Sequence, residues 1–171
     1  MCQIFIANLG LYNEGYLEGD WFELGQDEEE LTAFLKEKVG INEEYEEWFI
    51  ADTDLEGLDM QISEYDDIYE LNEMFARYDN LSTYEKDVVQ AILELGSYNT
   101  LDDAIDQMDS YYLYSGINEY EDLGYAYVHE WACIDVDKLG FIANHIDYRS
   151  LGRAIDLGSN GGFTSKGYLS N

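Results

Sequence analysis

Positive charge is scarce in this sequence. The 171 residues include eight Lys and Arg against 38 Asp and Glu, which gives a formal net charge of -30 at pH 7. So negative a surface repels nucleic acid and anionic membranes, and it attracts basic surfaces over long distances. We therefore exclude nucleic-acid and membrane binding, and we expect a strongly basic partner.

Proline is absent, and cysteine and histidine occur only twice each. No proline-rich linker can therefore separate domains. Cys2 and Cys133 match no metal-ligand or redox spacing, and neither His129 nor His145 belongs to a motif such as H-E-x-x-H. We predict two reduced thiols with a structural role, and we predict no cofactor and no metal ion.

Long apolar runs are also missing. The first ten residues, MCQIFIANLG, lack the positive charge and the length of a signal peptide. Nowhere do the roughly 18 apolar residues of a membrane-spanning helix follow one another. We expect a soluble protein of the cytoplasm.

The sequence is rich in apolar and acidic residues together. Apolar residues make up 46% of the chain and aromatic residues 15%, which is typical of a folded protein rather than a disordered one. Between residues 42 and 137, 27 Asp and Glu oppose only Arg77 and Lys86, a net charge of -25. Residues 138–171 instead hold four basic and two acidic residues, a net charge of +2. A protein adapted to high salt would spread its charge evenly, so this zoning favours a binding surface.

Motifs for chemistry are incomplete. Asp52, Asp54 and Gly57 match the first half of a calcium loop, but its twelfth position is Ser63 where a bidentate Glu is required. The glycines of 158–162 lack the Gly-Lys-Ser/Thr of a phosphate-binding loop. Carboxylate pairs suited to acid and base catalysis occur throughout, so their presence indicates no particular site. Nothing in the sequence supports an enzyme.

The first 61 residues predict a small α+β module. Apolar runs at Gln3–Leu9 and Trp21–Leu24 are separated by turn signals and predict an antiparallel pair. A helix is expected from Asp27 to Gly40, with three Glu in its first turn, where negative charge suits the helix dipole. A third strand is expected at Tyr45–Ala51.

Residues 62–110 predict a helical module, because capping signals recur at close intervals. The three predicted helices end at Tyr78, Leu95 and Ser110, and their capping pairs are Ser63 with Asp66, Ser82 with Glu85, and Thr100 with Asp103.

Residues 111–171 predict a second α+β module. A strand at 111–114 is followed by a helix that starts at Asn118 with Glu121 and ends near Trp131. Two short helices, 136–143 and 148–157, precede a terminal hairpin whose turns contain Gly161, Gly162 and Gly167. The predicted fold class is therefore α+β, in three small modules with junctions near residues 62 and 110.

Acidic residues at helical spacing recur through the middle of the chain. Residues four apart on a helix lie about 6 Å apart along its axis, so rows of carboxylates are expected, one at Asp66, Glu70 and Glu73 and another at Asp102, Asp106 and Asp109. Duplex DNA presents its own charges regularly, one per about 1.7 Å of axis. The residues of this predicted acidic surface are Glu43, Glu44, Glu46, Glu47, Asp66, Asp67, Glu70, Glu73, Asp87, Glu94, Asp102, Asp103, Asp106, Asp109, Glu119, Glu121 and Asp122.

The nearly neutral C-terminal stretch is where two copies could associate without strong repulsion. Four residues of the predicted helix 148–157 are candidates for a dimer interface: Arg149 and Arg153 on one face, and Leu151 and Ile155 on a neighbouring face. Alternatively, this helix completes its own module, and its arginines pair internally with Asp147 or with Glu side chains.

Several segments resemble the ArdA family of antirestriction proteins: IFIANLGLYNEG at Ile4–Gly15, GDWFEL at Gly19–Leu24, EEYEEWFIADTD at Glu43–Asp54, ISEYDDIYELNEM at Ile62–Met74 and DYRSLGRAIDL at Asp147–Leu157. The resemblance implies a DNA mimic, carried by conjugative elements or phage, that acts in the host bacterium. It implies that the partner is a type I restriction-modification enzyme, with its specificity and methyltransferase subunits, whose DNA-binding groove is blocked against cleavage and often methylation. It further implies an elongated three-module fold, a homodimer and an antirestriction motif near residues 131–147, where the expected proline is missing.

Two other functions remain open from the residues alone. A compact acidic inhibitor of the immunity type would plug a single basic nuclease. An acidic metal-dependent enzyme is the third hypothesis.

Overall fold

The computed structural model describes residues 1–171 and has the predicted α+β architecture. It contains two three-stranded antiparallel sheets, together with helices. The chain divides into two units, Met1–Ser82 and Thr83–Asn171. The division into three modules, with junctions near residues 62 and 110, stays a prediction.

The sheet of the first unit has strand order β2-β1-β3, with β1 at Gln3–Asn8, β2 at Gly19–Glu23 and β3 at Trp48–Asp54. The predicted β1–β2 pair is confirmed, and β3 begins and ends three residues later than predicted. Strand β1 lies in the centre and pairs with β2 on one edge and with β3 on the other. Its alternate residues Ile4 and Ile6 are fully buried on one face of the sheet. The register shifts between Phe5 and Ile6, so β3 carries a bulge at this point.

Two helices pack around this sheet. Helix α1, Leu9–Asn13, begins directly after β1. Helix α2, Glu28–Phe34, continues as a π-helical turn, Leu35–Val39, that ends at Gly40 as predicted. Gly40 has the left-handed conformation, φ 78°, which ends a helix without a Cβ penalty.

Helix α3, Ile68–Asp79, starts four residues later than the pair Ser63 and Asp66 predicted. The amide of Ser63 does donate to Oδ2 of Asp66, at 2.7 Å, but the bond closes a turn outside the helix. The helix is capped instead by Asp67, whose side chain accepts from the amides of Tyr69 and Glu70. Asp67, which directly precedes the first helical residue, is therefore the N-cap in place of the predicted Ser63.

The second unit begins with the helices α4, Thr83–Glu94, and α5, Leu101–Gln107, followed by a 3₁₀ turn, Met108–Ser110. Helix α4 starts directly after Ser82, as predicted. The predicted cap of α5 is also confirmed, because the hydroxyl of Thr100 accepts from the amide of Asp103 at 3.2 Å.

The sheet of this unit has strand order β4-β6-β5, with β4 at Tyr112–Tyr114, β5 at Gly162–Thr164 and β6 at Gly167–Ser170. The terminal hairpin is thus confirmed. Its turn lies at Ser165 and Lys166 before Gly167, and Gly161 and Gly162 lead into β5 instead of forming the turn. Leu113 faces Leu169 across the β4–β6 pair, and both are buried.

Helix α6, Tyr120–Ala126, continues as a π-helical turn, Tyr127–Trp131, so the predicted end is correct. The predicted start, Asn118 with Glu121, is wrong by one residue. Asp122 fixes the start instead, because its Oδ2 accepts from the amides of Asn118 and Glu119 at 3.0 and 3.2 Å.

Helix α7, Tyr148–Gly158, crosses α6 at very short range. A Cβ on Gly124 would overlap the carbonyl oxygen of Tyr148, and a Cβ on Gly152 would overlap that of Tyr120. The crossing therefore requires glycine on both helices. Before α7, Val136–His145 forms 3₁₀ helix with a kink at Gly140. The short helix predicted at 136–143 is therefore present, but as a 3₁₀ helix, which is wound more tightly than an α-helix. No helix combines the length and the apolar character needed to span a membrane.

Candidate functional site: the acidic surface

The acidic residues lie outside both cores. The only buried polar or charged residues are Asn8 and Asn72, so all 38 Asp and Glu retain contact with solvent. Of the 17 residues predicted for the acidic surface, three are partly buried, namely Asp87, Asp102 and Asp122, and the others are exposed. The fold thus separates the charge of this chain from its apolar core.

The helices achieve this separation by their periodicity. In α3, Ile68, Leu71 and Phe75 are buried, while Glu70 and Glu73 are exposed. Charged residues fall on the opposite face because the apolar residues recur with the 3.6-residue period of a helix. In α5, Leu101, Ala104 and Ile105 are buried in the same way while Asp103 and Asp106 are exposed.

The two predicted carboxylate rows are only partly helical. Asp66 lies in the turn before α3, so the first row holds only Glu70 and Glu73 on the helix. Asp102 and Asp106 belong to α5, and Asp109 lies in the following 3₁₀ turn. Each row extends beyond its helix, because α3 begins after Asp66 and α5 ends before Asp109.

The loop Glu43–Glu47 forms a group of four exposed carboxylates around Tyr45. The loop lines an open depression with Gly10, and the side chain of Asn42 shapes it by accepting from the amides of Glu44 and Tyr45 at 2.8 and 3.2 Å. The Tyr45 hydroxyl donates to Glu14 at 3.1 Å, and this hydrogen bond raises the pKa of Tyr45. The group is therefore held in a defined loop.

Several predicted surface carboxylates also stabilise the fold, which the sequence did not reveal. Asp67 caps α3, and Asp122 accepts two amides at the start of α6. Glu94 binds the turn of the β5–β6 hairpin, and Asp87 pairs with Lys166 at 2.9 Å. These residues have partners inside the chain, whereas residues such as Glu70 and Glu121 are exposed on helix faces.

The second unit also carries an aromatic depression that the sequence reading missed. It has a volume of about 280 Å³, and its lining residues are Tyr114, Gly116, Ile117, Asp122, Tyr125, Ala126 and Glu130. The only available signal was the alternation of Tyr with Asp and Glu between residues 111 and 130. That pattern equally describes the exposed face of a helix, so it did not indicate a depression.

The candidate dimer residues fall into two groups. Arg149 and Arg153 are exposed on α7, while Leu151 and Ile155 are partly buried. Ile155 packs against the cluster of Ile117, Leu123, Ala126 and Tyr168 within its own unit. More exposed apolar side chains lie nearby in sequence, namely Phe141, Ile142 and Leu157, which are 78%, 64% and 75% exposed.

No group of three or more His, Cys, Asp or Glu side chains converges where a metal ion could bind. The carboxylates spread over the surface rather than gathering around one point. Such an arrangement can bind an extended basic surface.

Comparison with known protein families gives a match over residues 4–170 to the family described as antirestriction protein (ArdA). The match covers nearly the whole chain and both units. No curated protein matches the chain.

Proposed function

Because this chain belongs to the ArdA family of antirestriction proteins, we propose that it inhibits type I restriction-modification enzymes as a mimic of DNA. In this proposal the acidic surface occupies the groove in which the specificity and methyltransferase subunits bind DNA. The protein acts by competition and needs no catalytic group of its own.

The zoned negative charge is the observation that supports mimicry. Between residues 42 and 137 only Arg77 and Lys86 oppose 27 carboxylates, and no carboxylate of the chain is buried. Duplex DNA carries one charge per about 1.7 Å, so a net charge of -30 corresponds to about 51 Å of duplex, or about 15 base pairs. A dimer would imitate about 30 base pairs.

The energetic cost of this surface also supports a binding role. Like charges at helical spacing destabilise a helix by a few tenths of a kcal/mol per pair. Glu70 with Glu73, and Asp102 with Asp106, are such pairs on α3 and α5. In the unbound protein, the repulsion within these pairs destabilises α3 and α5. Binding in a basic groove would neutralise that repulsion.

Competition for one groove would affect both reactions of the enzyme. Cleavage and methylation each require DNA in the groove, so a protein bound there blocks both to the extent that it displaces DNA. We place the protein in the bacterial cytoplasm, where restriction enzymes meet DNA brought in by conjugative elements or phage.

We further propose that the protein is a homodimer whose interface lies in the C-terminal stretch. Residues 138–171 have a net charge of +2, so two copies can approach there without strong repulsion. The exposed side chains of Phe141, Ile142 and Leu157 supply apolar surface in this stretch. Arg149 and Arg153, which lie between Ile142 and Leu157 in the sequence, are also exposed. They are candidates for ion pairs with carboxylates of the second copy.

A competition experiment tests the proposed function directly. A type I methyltransferase core with its specificity subunit is bound to a fluorescent duplex that contains its recognition site, and the purified protein is added. We expect complete displacement of the duplex, together with loss of methylation in a parallel assay. Failure to displace DNA from several such enzymes, with the protein folded by circular dichroism, would contradict DNA mimicry.

A further inference from the structure

The aromatic depression on the second unit brings two chemical features together. Tyr114 and Tyr125 line it together with Asp122 and Glu130, and no Lys, Arg or His is among the lining residues. Tyrosine rings attract cations through their negative faces, and the two carboxylates add formal charge. Both features favour a cation in the same place.

The walls of the depression are held by contacts inside the chain. Tyr114 packs against the buried cluster of this unit, and its ring lies 4.7 Å from that of Trp131. Asp122 is fixed by the two amides that its Oδ2 accepts. On the other side, Tyr125 stacks on His129 with ring centres 4.1 Å apart and an angle of 23°. A ligand would therefore meet prearranged side chains.

The size of the depression limits what it can bind. Its volume of about 280 Å³ is at the small end of ligand pockets, whose volumes usually run from about 300 to 1,000 Å³. One long side chain fits this volume better than a cofactor does. Burial raises the pKa of the Tyr114 hydroxyl further above its ordinary value, so this group is uncharged and its oxygen can accept a hydrogen bond from a bound ligand.

We propose that the aromatic depression binds the guanidinium group of one arginine side chain of a basic partner protein. A guanidinium is planar, stacks on aromatic rings and is less strongly hydrated than the ammonium group of lysine. Its five N–H donors can reach the carboxylates that line the depression while its plane lies near a tyrosine ring. Charge complementarity supports this occupant, because the chain is strongly acidic and the depression is lined by acids and rings.

Gly116 offers a way to fill the depression without removing charge. It lines the depression, and a Cβ added there would meet no atom within 4 Å. Gly116→Leu should therefore leave the fold intact. Gly158→Leu is the matched control, since a Cβ at Gly158 also meets no atom within 4 Å and this residue does not line the depression.

The first experiment does not depend on the proposed function. The full chain, labelled with ¹⁵N, is titrated with acetyl-arginine amide and separately with acetyl-lysine amide. We expect saturable shifts at the amides of Gly116, Ile117 and Ala126 with the arginine probe, and weaker ones with the lysine probe. Gly116→Leu should abolish these shifts, while Gly158→Leu should preserve them.

Two outcomes would overturn the arginine site. One is an equal response to both probes over the whole acidic surface, which would indicate nonspecific attraction. The other is a titration unchanged by Gly116→Leu. The titration uses no restriction enzyme. It therefore tests the arginine site even if this protein inhibits no such enzyme.

The second experiment tests the identity of the partner, which rests on the proposed function. Gly116→Leu should weaken binding to the methyltransferase core between about twofold and thirtyfold, the range typical of a cation–aromatic contact. Glu130→Gln should weaken it more than Glu121→Gln, which removes the same charge from an exposed position outside the depression. Unchanged binding by Gly116→Leu would overturn the partner assignment. If Gly116→Leu instead converts a dimer into a monomer, the bound arginine belongs to a second copy of this chain. That result would also overturn the partner assignment.

Discussion

Glu94 of helix α4 holds Ser165 in the turn of the terminal hairpin, although 71 residues separate them in sequence. The backbone N–H of Ser165 donates to both carboxylate oxygens at 2.8 and 2.9 Å, and its hydroxyl donates to one of them at 2.8 Å. Beside this contact, Lys166 pairs with Asp87 on the same helix. Two carboxylates predicted for the acidic surface therefore attach the end of the chain to its own unit.

The first prediction concerns the stability of this attachment. Glu94→Ala should lower the free energy of unfolding by about 1 kcal/mol, since hydrogen bonds to an exposed charged group contribute modestly. Urea unfolding measures the change, and Asp109→Ala serves as the control for removing one exposed acidic side chain from this unit. Equal stabilities of the two variants would show that the contact at Ser165 contributes nothing.

The second prediction concerns salt. If carboxylates replace phosphates in a basic groove, affinity should be high at low salt and should fall as salt rises, through screening and the exchange of ions. Titrations of the methyltransferase core at several salt concentrations between about 50 and 200 mM cover a range in which DNA-binding proteins respond strongly. An affinity independent of salt would contradict a binding mode based on charge.

The third prediction separates a mimic from a plug. In a mimic the charge is spread over many residues, so changing Asp102, Asp106 and Asp109 together to Asn should weaken binding only modestly. A compact immunity-type inhibitor can lose several kcal/mol of binding free energy from a single acidic residue.

The control for this test keeps the charge, with the same three positions changed to Glu. Competition binding should then return to the affinity of the original protein. Abolition of inhibition by one Asp or Glu change to Ala, in a variant that circular dichroism shows to be folded, would favour the plug over the mimic.

The fourth prediction concerns the proposed dimer. Phe141→Asp combined with Leu157→Asp should give a folded monomer, because both side chains are largely exposed and can change without disturbing a core. Ile155 is unsuitable for this test, since it packs inside its own unit. Light scattering reports the mass. A dimer that survives these changes, or one lost when Glu70 and Glu73 become Gln, would place the interface elsewhere.

The fifth prediction concerns pH and the start of helix α7. Hydrogen bonds from the backbone and hydroxyl of Ser150 lower the pKa of Asp147 in the folded protein. An Asp in an unfolded chain titrates at about pH 3.9, so the stabilisation is present above that pH and is lost as the pH falls through the lower folded value. Asp147→Ala should therefore cost stability at pH 7 and cost less near pH 3, measured by thermal unfolding. A loss that is the same at both pH values would contradict this role.

The elements that could be predicted from the sequence are those specified by nearby residues. Thr100 and Asp103 define the start of α5 because both partners lie within one turn, and Gly40 ends its helix because its backbone is left-handed. The start of α3 was predicted wrongly because several acidic residues compete to cap it, and Asp67 prevails over the Ser63 and Asp66 pair.

The remaining features depend on contacts distant in sequence. The contact of Glu94 with Ser165 joins two segments whose spacing carries no pattern, and the crossing at Gly124 and Gly152 becomes visible only when both helices are placed. The aromatic depression was missed for the same reason, since Tyr114 and Tyr125 belong to a strand and a helix that meet only in the folded unit. The acidic composition was evident from the sequence, but the use of some carboxylates as internal anchors was not.

The exclusion of every carboxylate from the core has an evolutionary consequence. Selection can move, add or remove most surface charges on this chain without altering the packing that holds it folded, so variants with new charge patterns are readily accessible. Under the proposed mimicry, the basic groove of the target has no such freedom, because each cation that it loses also weakens its binding to phosphate. We therefore expect the acidic surface to change more readily in evolution than the groove that it would occupy.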